Sequence, residues 1–172
     1  ARQCVSTSGR WAMLDGQARA WCRLSKGVHL VLPALPAQEA VLLTAKKDGR
    51  VFFIIPWYGR TLLGTTDTDY HGDVAQVKVE ESDIDYLLTA ANDYLKQAWR
   101  RSDVIGSYAG LRVMKQSDAA QPSAASRDWQ LKTTENGLHH AIGGKLTSAR
   151  EDAAVIVDTV CAELGIAAVW PF

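Results

Sequence analysis

A chain of 172 residues can close one sizeable hydrophobic core and is short for two full domains. Hydrophobic residues at 47% and charged residues at 22% are the balance of an ordinary globular protein. Lys plus Arg equals Asp plus Glu at 19 each, so no global field draws in nucleic acid or an anionic membrane, and any anion site has to be local.

The cysteines Cys4, Cys22 and Cys161 fit no metal-ligand spacing and read as reduced thiols of a cytoplasmic protein. No stretch reaches the roughly 18 apolar residues that cross a bilayer. Residues 1–9 lack the basic and apolar runs of a secretory signal. The chain starts without Met and enters at once on the strand-like Gln3-Cys4-Val5-Ser6, so it is expected to be cut from a longer protein. Peripheral attachment of that protein to the inner face of the cell membrane stays open.

From residue 28 the chain reads as strands over 28–32, 40–44, 51–57 and 61–66. Asp48-Gly49 predicts a hairpin between the second and third, and Gly59 marks the next reversal. Phe52-Phe53-Ile54-Ile55 is apolar on both faces, as in a central strand covered on both sides. Over 81–98 the period changes, and Ile84, Leu87, Leu88, Ala91, Leu95 and Ala98 share a helical face behind an acidic first turn. Residues 104–109 and 111–114 look extended, and the Ser/Ala/Gln/Pro-rich 116–125 reads as a mobile loop. Strands at 129–133 and 138–142 flank a Glu135-Asn136-Gly137 turn. A last helix opens on Gly143-Gly144, lines up Leu146, Ala149, Ala153, Val157, Val160 and Leu164, and stops at Gly165. The sum is an α+β fold, a mostly antiparallel mixed sheet flanked by helices.

Gly143-Gly144-Lys145-Leu146-Thr147 is the most informative motif. Two glycines between a strand and a helix let backbone approach a ligand, with the helix's first N–H groups aimed at it. Lys145 is expected in the first helical turn, where a cation costs about 0.3–1 kcal/mol unless an anion offsets it. The alternative is a Lys that bends away into water. Arg112 and Arg127, each at the edge of a predicted strand, are able to grip a phosphate bidentately or to serve as surface ion-pair residues. His29 enters an apolar strand, as a proton acceptor or as a half-buried His bonded to backbone. Asp67-Thr68-Asp69-Tyr70-His71-Gly72-Asp73 partly matches a calcium loop but has Lys78 where a bidentate Glu belongs, so it reads as a polar turn and no metal is assigned. Neither a G-x-G-x-x-G fingerprint nor a P-loop occurs.

Six segments then line up: Ser25-Lys26-Gly27-Val28-His29; Val51 through Pro56-Trp57; Gly64-Thr65-Thr66-Asp67-Thr68-Asp69-Tyr70; Ser107-Tyr108-Ala109-Gly110-Leu111-Arg112; Ser126-Arg127-Asp128; and Gly143-Gly144-Lys145-Leu146-Thr147. In this order they resemble the FAD-dependent glycerol-3-phosphate dehydrogenases. Thr7-Ser8-Gly9-Arg10-Trp11 resembles a worn form of the family's Ala-Thr-Gly-Pro-Trp segment, with Arg10 in place of the Pro, and Val113 stands where a Pro usually follows the Arg.

The resemblance implies a division into 1–24, the end of an FAD-domain segment and a crossover; 25–134, a substrate-binding α+β portion as in the D-amino-acid-oxidase-like flavoproteins; and 135–172, the closing strand and helix of the FAD domain. It implies His29 as the acceptor of the substrate's hydroxyl proton and Arg112, Arg127 and Lys145 around the substrate phosphate. Gly143, Gly144, Leu146 and Thr147 would face the flavin. The implied reaction takes sn-glycerol 3-phosphate to dihydroxyacetone phosphate by hydride transfer to FAD. Electrons then pass to a quinone, or to oxygen in related oxidases. The glycine-rich cofactor loop of the family has no counterpart here, so this chain alone is expected to be inactive and not to retain FAD. A related amine or amino-acid oxidase and a non-enzymatic anion-binding module are the alternatives.

Overall fold

The computed structural model describes residues 1–36 and 38–167. They form two compact units, Ser25–Leu111, and Ala1–Leu24 with the segment from Arg112 onward. Residues 112–134, read with the substrate-binding portion, group with the chain ends because strand pairing at 130–133 ties them there. Residues 168–172 of the last expected segment lie outside the described residues.

The Ser25–Leu111 unit is built on a sheet of order β3 (Val41–Thr44), β4 (Val51–Trp57), β5 (Arg60–Gly64), β2 (Cys22–Pro33) and β6 (Thr68–Asp69), with β7 (Gly106–Lys115) also paired to β2. The pairs β3–β4, β4–β5, β2–β5 and β2–β6 are all antiparallel, as the α+β expectation requires. The Asp48-Gly49 hairpin forms, with Gly49 at φ 73° and a loop longer than two residues. The β4–β5 turn is the tight one. Trp57 pairs with Arg60, and Tyr58 and Gly59 both take positive φ, at 43° and 71°, the geometry that matches the twist of paired strands. The extended segments read at 104–109 and 111–114 are one strand, β7, bridging Gly110.

The core of this unit gathers Val28, Leu30 and Leu32 of β2, Phe52 and Ile54 of β4, Leu63 of β5 and Leu87, Leu88, Ala90 and Ala91 of α2 (Glu81–Asn92). The helix ends at Asn92 and not near Ala98. The Asn92 side chain accepts from the Trp99 N–H at 2.8 Å and donates to its carbonyl at 2.9 Å, folding the chain back so that Trp99 joins the core. Leu95 packs against that core from outside any helix.

The other unit holds a sheet of order β1 (Cys4–Ser6), β9 (Leu138–Ile142) and β8 (Gln130–Thr133). β8–β9 is the expected antiparallel hairpin, and β1 joins β9 in parallel. A short helix α1 (Gly16–Arg19) is capped by Asp15, whose Oδ1 accepts from Gln17 and Ala18, both at 2.9 Å. A small cluster of Ala12, Ala18, Cys22 and Ile142 forms the interior. Burial pushes the Cys22 thiol up to about 11, so it behaves as an apolar filler and not as a nucleophile.

The last helix, α3 (Ala149–Leu164), stops at Gly165 as expected, with Gly165 left-handed at φ 69°. Its start and its stripe differ from expectation. The helix begins at Ala149, and Leu146 lies before it, 95% exposed. No residue of α3 is buried, and Val155 and Val157 are exposed. Ile156, Val160 and Leu164 are half-buried, and Glu163 meets the buried His139 at 3.0 Å, while Ser148 at the N-cap donates to Asp152 within the first turn at 3.0 Å. Among the described residues no helix is long and apolar enough to cross a membrane.

Candidate functional site

His29 lies in the middle of β2, half-buried, directly opposite Gly64 of β5. Its imidazole stacks on Tyr108 of β7, with ring centroids 5.1 Å apart and planes 9° from parallel. On the other neighbouring strand, a Cβ built at Gly64 would stand 2.3 Å from His29 Cδ2 and 2.8 Å from Nε2. The ring therefore occupies the volume that any side chain at position 64 would need.

Just along β2, Ser25 and Lys26 are buried polar residues with buried polar partners. The Ser25 hydroxyl donates to the Asp67 carboxylate. Lys26 Nζ meets Asp83 at 2.7 Å and Glu80 at 3.1 Å, joining β2 to the start of α2. Burial pulls the Lys26 ammonium down, but the hydrogen bonds it donates to Asp83 and Glu80, with their charge, outweigh that and leave the group above its usual range. The Asp67–Asp73 segment opens with that hydrogen-bonded carboxylate and continues as the short strand β6 beside Ser25 and Lys26. Among the described residues no group of three or more His, Cys, Asp or Glu converges to hold a metal.

In the other unit, Arg112 sits within β7, half-buried, and not at a strand edge. Arg127 is exposed in the irregular segment before β8. Gly143 and Gly144 follow β9 at φ 79° and 89°, a conformation that side chains resist. They are also tightly seated: a Cβ at Gly143 would come 2.9 Å from the Asp128 carbonyl, and one at Gly144 would come 3.1 Å from Trp129 Cβ. Beyond the Gln130–Ile142 pair, the last of the register, Gly143 thus lies against Asp128 and Gly144 against Trp129. Arg127 and Lys145 come next, at the same open end of the hairpin.

Lys145 itself is exposed and stands ahead of α3, in a turn closed by Ser148 N–H to Lys145 O at 3.2 Å. Lys145 is therefore not the expected cation of a first helical turn, and the dipole effect fades beyond that turn. What remains of the anion-site reading is the turn. Lys145, Leu146 and Thr147 are exposed, and their backbone N–H groups donate to no acceptor among the described residues.

The sequence reading passed over Tyr108, Gly64 and the paired histidines of β9. His139 is 1% exposed and fully engaged, with Thr133 at 2.8 Å on Nδ1 and Glu163 at 3.0 Å on Nε2. His140, 3% exposed, has a hydrogen-bond partner on neither ring nitrogen, and Asp15 Oδ2 stands 3.8 Å from its Nε2. Adjacent positions on one strand point to opposite faces, which explains their unlike surroundings. The glycine at 64 was the available signal, since a Gly inside a strand often marks the close approach of another group.

An α+β architecture with a histidine-bearing antiparallel sheet and a strand–glycine-turn–helix segment defines the class to compare with. A family model described as FAD dependent oxidoreductase matches residues 1–150, and the chain belongs to that family. Within it, the chain is 36% identical over 162 residues to the aerobic glycerol-3-phosphate dehydrogenase of Escherichia coli strain K12, covering 88% of this chain and 32% of that protein. It is 40% identical over 133 residues to the D-erythritol 1-phosphate dehydrogenase of Brucella abortus, covering 75% of this chain and 26% of that one. Among solved structures it matches the glycerol-3-phosphate dehydrogenase from Bacillus halodurans complexed with FAD, with a TM-score of 0.80 and 34% identity, over 96% of this chain and 33% of that one. The glycine oxidase of Geobacillus kaustophilus shares the fold at a TM-score of 0.60 and 21% identity, over 92% of this chain and 41% of that one. The chain spans about a third of the length of the curated relatives it matches.

Proposed function

We propose that this chain supplies substrate-holding residues and the closing strand–turn–helix of a longer FAD-dependent enzyme that oxidises sn-glycerol 3-phosphate to dihydroxyacetone phosphate. The observation that carries the reading is the open end of the β8–β9 hairpin, where two cations, Arg127 and Lys145, accompany an exposed turn with available backbone N–H donors. Such a group of donors suits a phosphate or the electron-rich edge of a flavin. The relatives named for glycerol-3-phosphate oxidation support the same substrate.

FAD would be held by the Gly143-Gly144 turn and by the exposed backbone of Lys145, Leu146 and Thr147 that follows it. Bound there, FAD would supply the two-electron acceptor for the hydride of the substrate carbon. His29 takes the hydroxyl proton on a ring nitrogen, which a neutral imidazole does well near neutral pH. Arg112, Arg127 and Lys145 balance the phosphate dianion and hold the substrate in register. Electrons leave to a quinone, and the protein works in the cytoplasm or on the inner face of the membrane.

The test is dye reduction by the purified, flavin-loaded full-length protein. Glycerol 3-phosphate is expected to be turned over. Arg112→Ala is expected to raise KM about 10- to 100-fold, the loss of hydrogen bonds from a charged donor to phosphate. An unchanged KM removes Arg112 from the site. D-Erythritol 1-phosphate belongs in the same assay, because the relative with the higher identity carries that name. Turnover of glycine derivatives without turnover of either phosphate replaces this reading with an amine or amino-acid oxidase.

A further inference from the structure

We propose that Gly64 and Tyr108 are positioning residues for His29, forming a slot that fixes the plane of its imidazole from the two strands flanking β2. The inference rests on the reading of His29 as proton acceptor for its consequence in turnover. The slot itself stands on geometry.

On the β5 side, Gly64 pairs directly with His29. It also pairs with Phe53, so it sits in the interior of a three-strand row where a glycine weakens the sheet. Its φ is outside the left-handed region that Gly49, Gly59 and Gly143 occupy. The requirement comes from His29, whose Cδ2, Cγ and Nε2 would lie 2.3, 2.7 and 2.8 Å from a Cβ at that position. An alanine there has to push the ring aside, because all three of those atoms belong to a rigid imidazole and not to the end of a flexible chain.

On the β7 side, Tyr108 lies nearly parallel to the ring at 5.1 Å. It does so while 51% exposed, so its place is not explained by burial in the core. Aromatic pairs favour such offset stacking beyond the area they bury. Removing a Cβ below the ring and stacking a flat face beside it leaves the imidazole little freedom about χ2. A proton acceptor has to hold its nitrogen within hydrogen-bond reach of the substrate hydroxyl, and small misplacements are costly.

The slot acts on the rate of a bound substrate and not on its capture, so the expected signature is a fall in kcat with KM nearly unchanged. In the flavin-loaded full-length protein, Tyr108→Leu is expected to lower kcat about tenfold, and Tyr108→Phe, which keeps the flat face, to restore it to within about twofold. Gly64→Ala is expected to lower kcat more than Tyr108→Leu. Independently of turnover, protein labelled at histidine Cε1 gives an NMR signal for His29, assigned by its loss in His29→Asn. Stacking on Tyr108 displaces that signal by ring current, and the displacement is expected to survive in Tyr108→Phe and vanish in Tyr108→Leu.

A His29 signal that is the same in wild type and Tyr108→Leu overturns the slot, whatever the kinetics. A kcat insensitive to Tyr108→Leu overturns it as a catalytic device if His29→Asn is inactive. If His29→Asn keeps full activity, the reading of His29 as proton acceptor fails instead, and the NMR result still decides whether the slot exists.

Discussion

Helices α2 and α3 carry similar apolar stripes in the sequence, and the structure treats them differently. α2 buries Leu87, Leu88, Ala90 and Ala91 in a core shared with β2, β4 and β5. α3 has no residue buried as deeply; Ile156, Val160 and Leu164 are half-buried, and Glu163 reaches His139. Periodicity reports that a helix has an apolar face. It does not report whether the described chain offers a sheet to receive it. The difference extends to the units that hold them, one with a broad core of large side chains and one with a cluster of Ala12, Ala18, Cys22 and Ile142.

The comparison is broken most forcefully from the core of the Ser25–Leu111 unit. Phe52 is 1% exposed, and Phe52→Ala is expected to cost about 3–5 kcal/mol in chemical denaturation, the usual price of emptying an aromatic site. A cost under about 1 kcal/mol means that this core is loosely assembled, and the contrast with the other unit disappears.

Next in size is Asp83→Ala, expected to cost about 3 kcal/mol near neutral pH by leaving Lys26 buried with only the exposed Glu80 as partner. The pH dependence gives a second check. Lys26 is raised above its usual 10.5, so the stability it contributes is fully present below that value and is lost as pH rises through the folded pKa. The gap between wild type and Asp83→Ala is therefore expected to narrow above about pH 10.5. A gap that stays constant into that range takes the ion pair out of the account of stability.

What the sequence disclosed depended on how local each cause was. The Asp48-Gly49 and Gly59 reversals and the Gly165 stop are decided within a few residues, and they were legible. The reading of 52–55 as covered on both faces was not borne out, since Phe52 and Ile54 are buried and Phe53 is exposed. The end of α2 was not, because Asn92 is held by Trp99 from beyond the helix. The start of α3 was misplaced because two glycines announced a helix that opens only after an intervening turn. For the site, residue types named His29, Arg112, Arg127 and Lys145, but the neighbours of His29 come from strands that are distant in sequence. Tyr108 reads as one more strand aromatic, and Gly64 as one more glycine, until β2 is paired with β5 and β7. The burial of Asp83 was hidden for a related reason. An acid in a first helical turn is ordinary for capping, and only pairing with Lys26 explains its place inside.

The smallest expected effect is the sharpest test of the contrast between the helices. Val157 of α3 is 43% exposed, whereas Leu88 of α2 is 7% exposed. Val157→Ser removes apolar atoms that already meet water, so denaturation of this chain is expected to shift by less than about 0.5 kcal/mol. Hydrogen exchange gives the companion measurement. Amides of α2 around Leu87 and Leu88 are expected to exchange more slowly than those of α3 around Val157, since opening α2 exposes fully buried core surface and opening α3 exposes only half-buried side chains. If Val157→Ser instead costs 2 kcal/mol or about that much, the Val157 side of α3 is covered in solution as well as the half-buried side of Ile156, Val160 and Leu164.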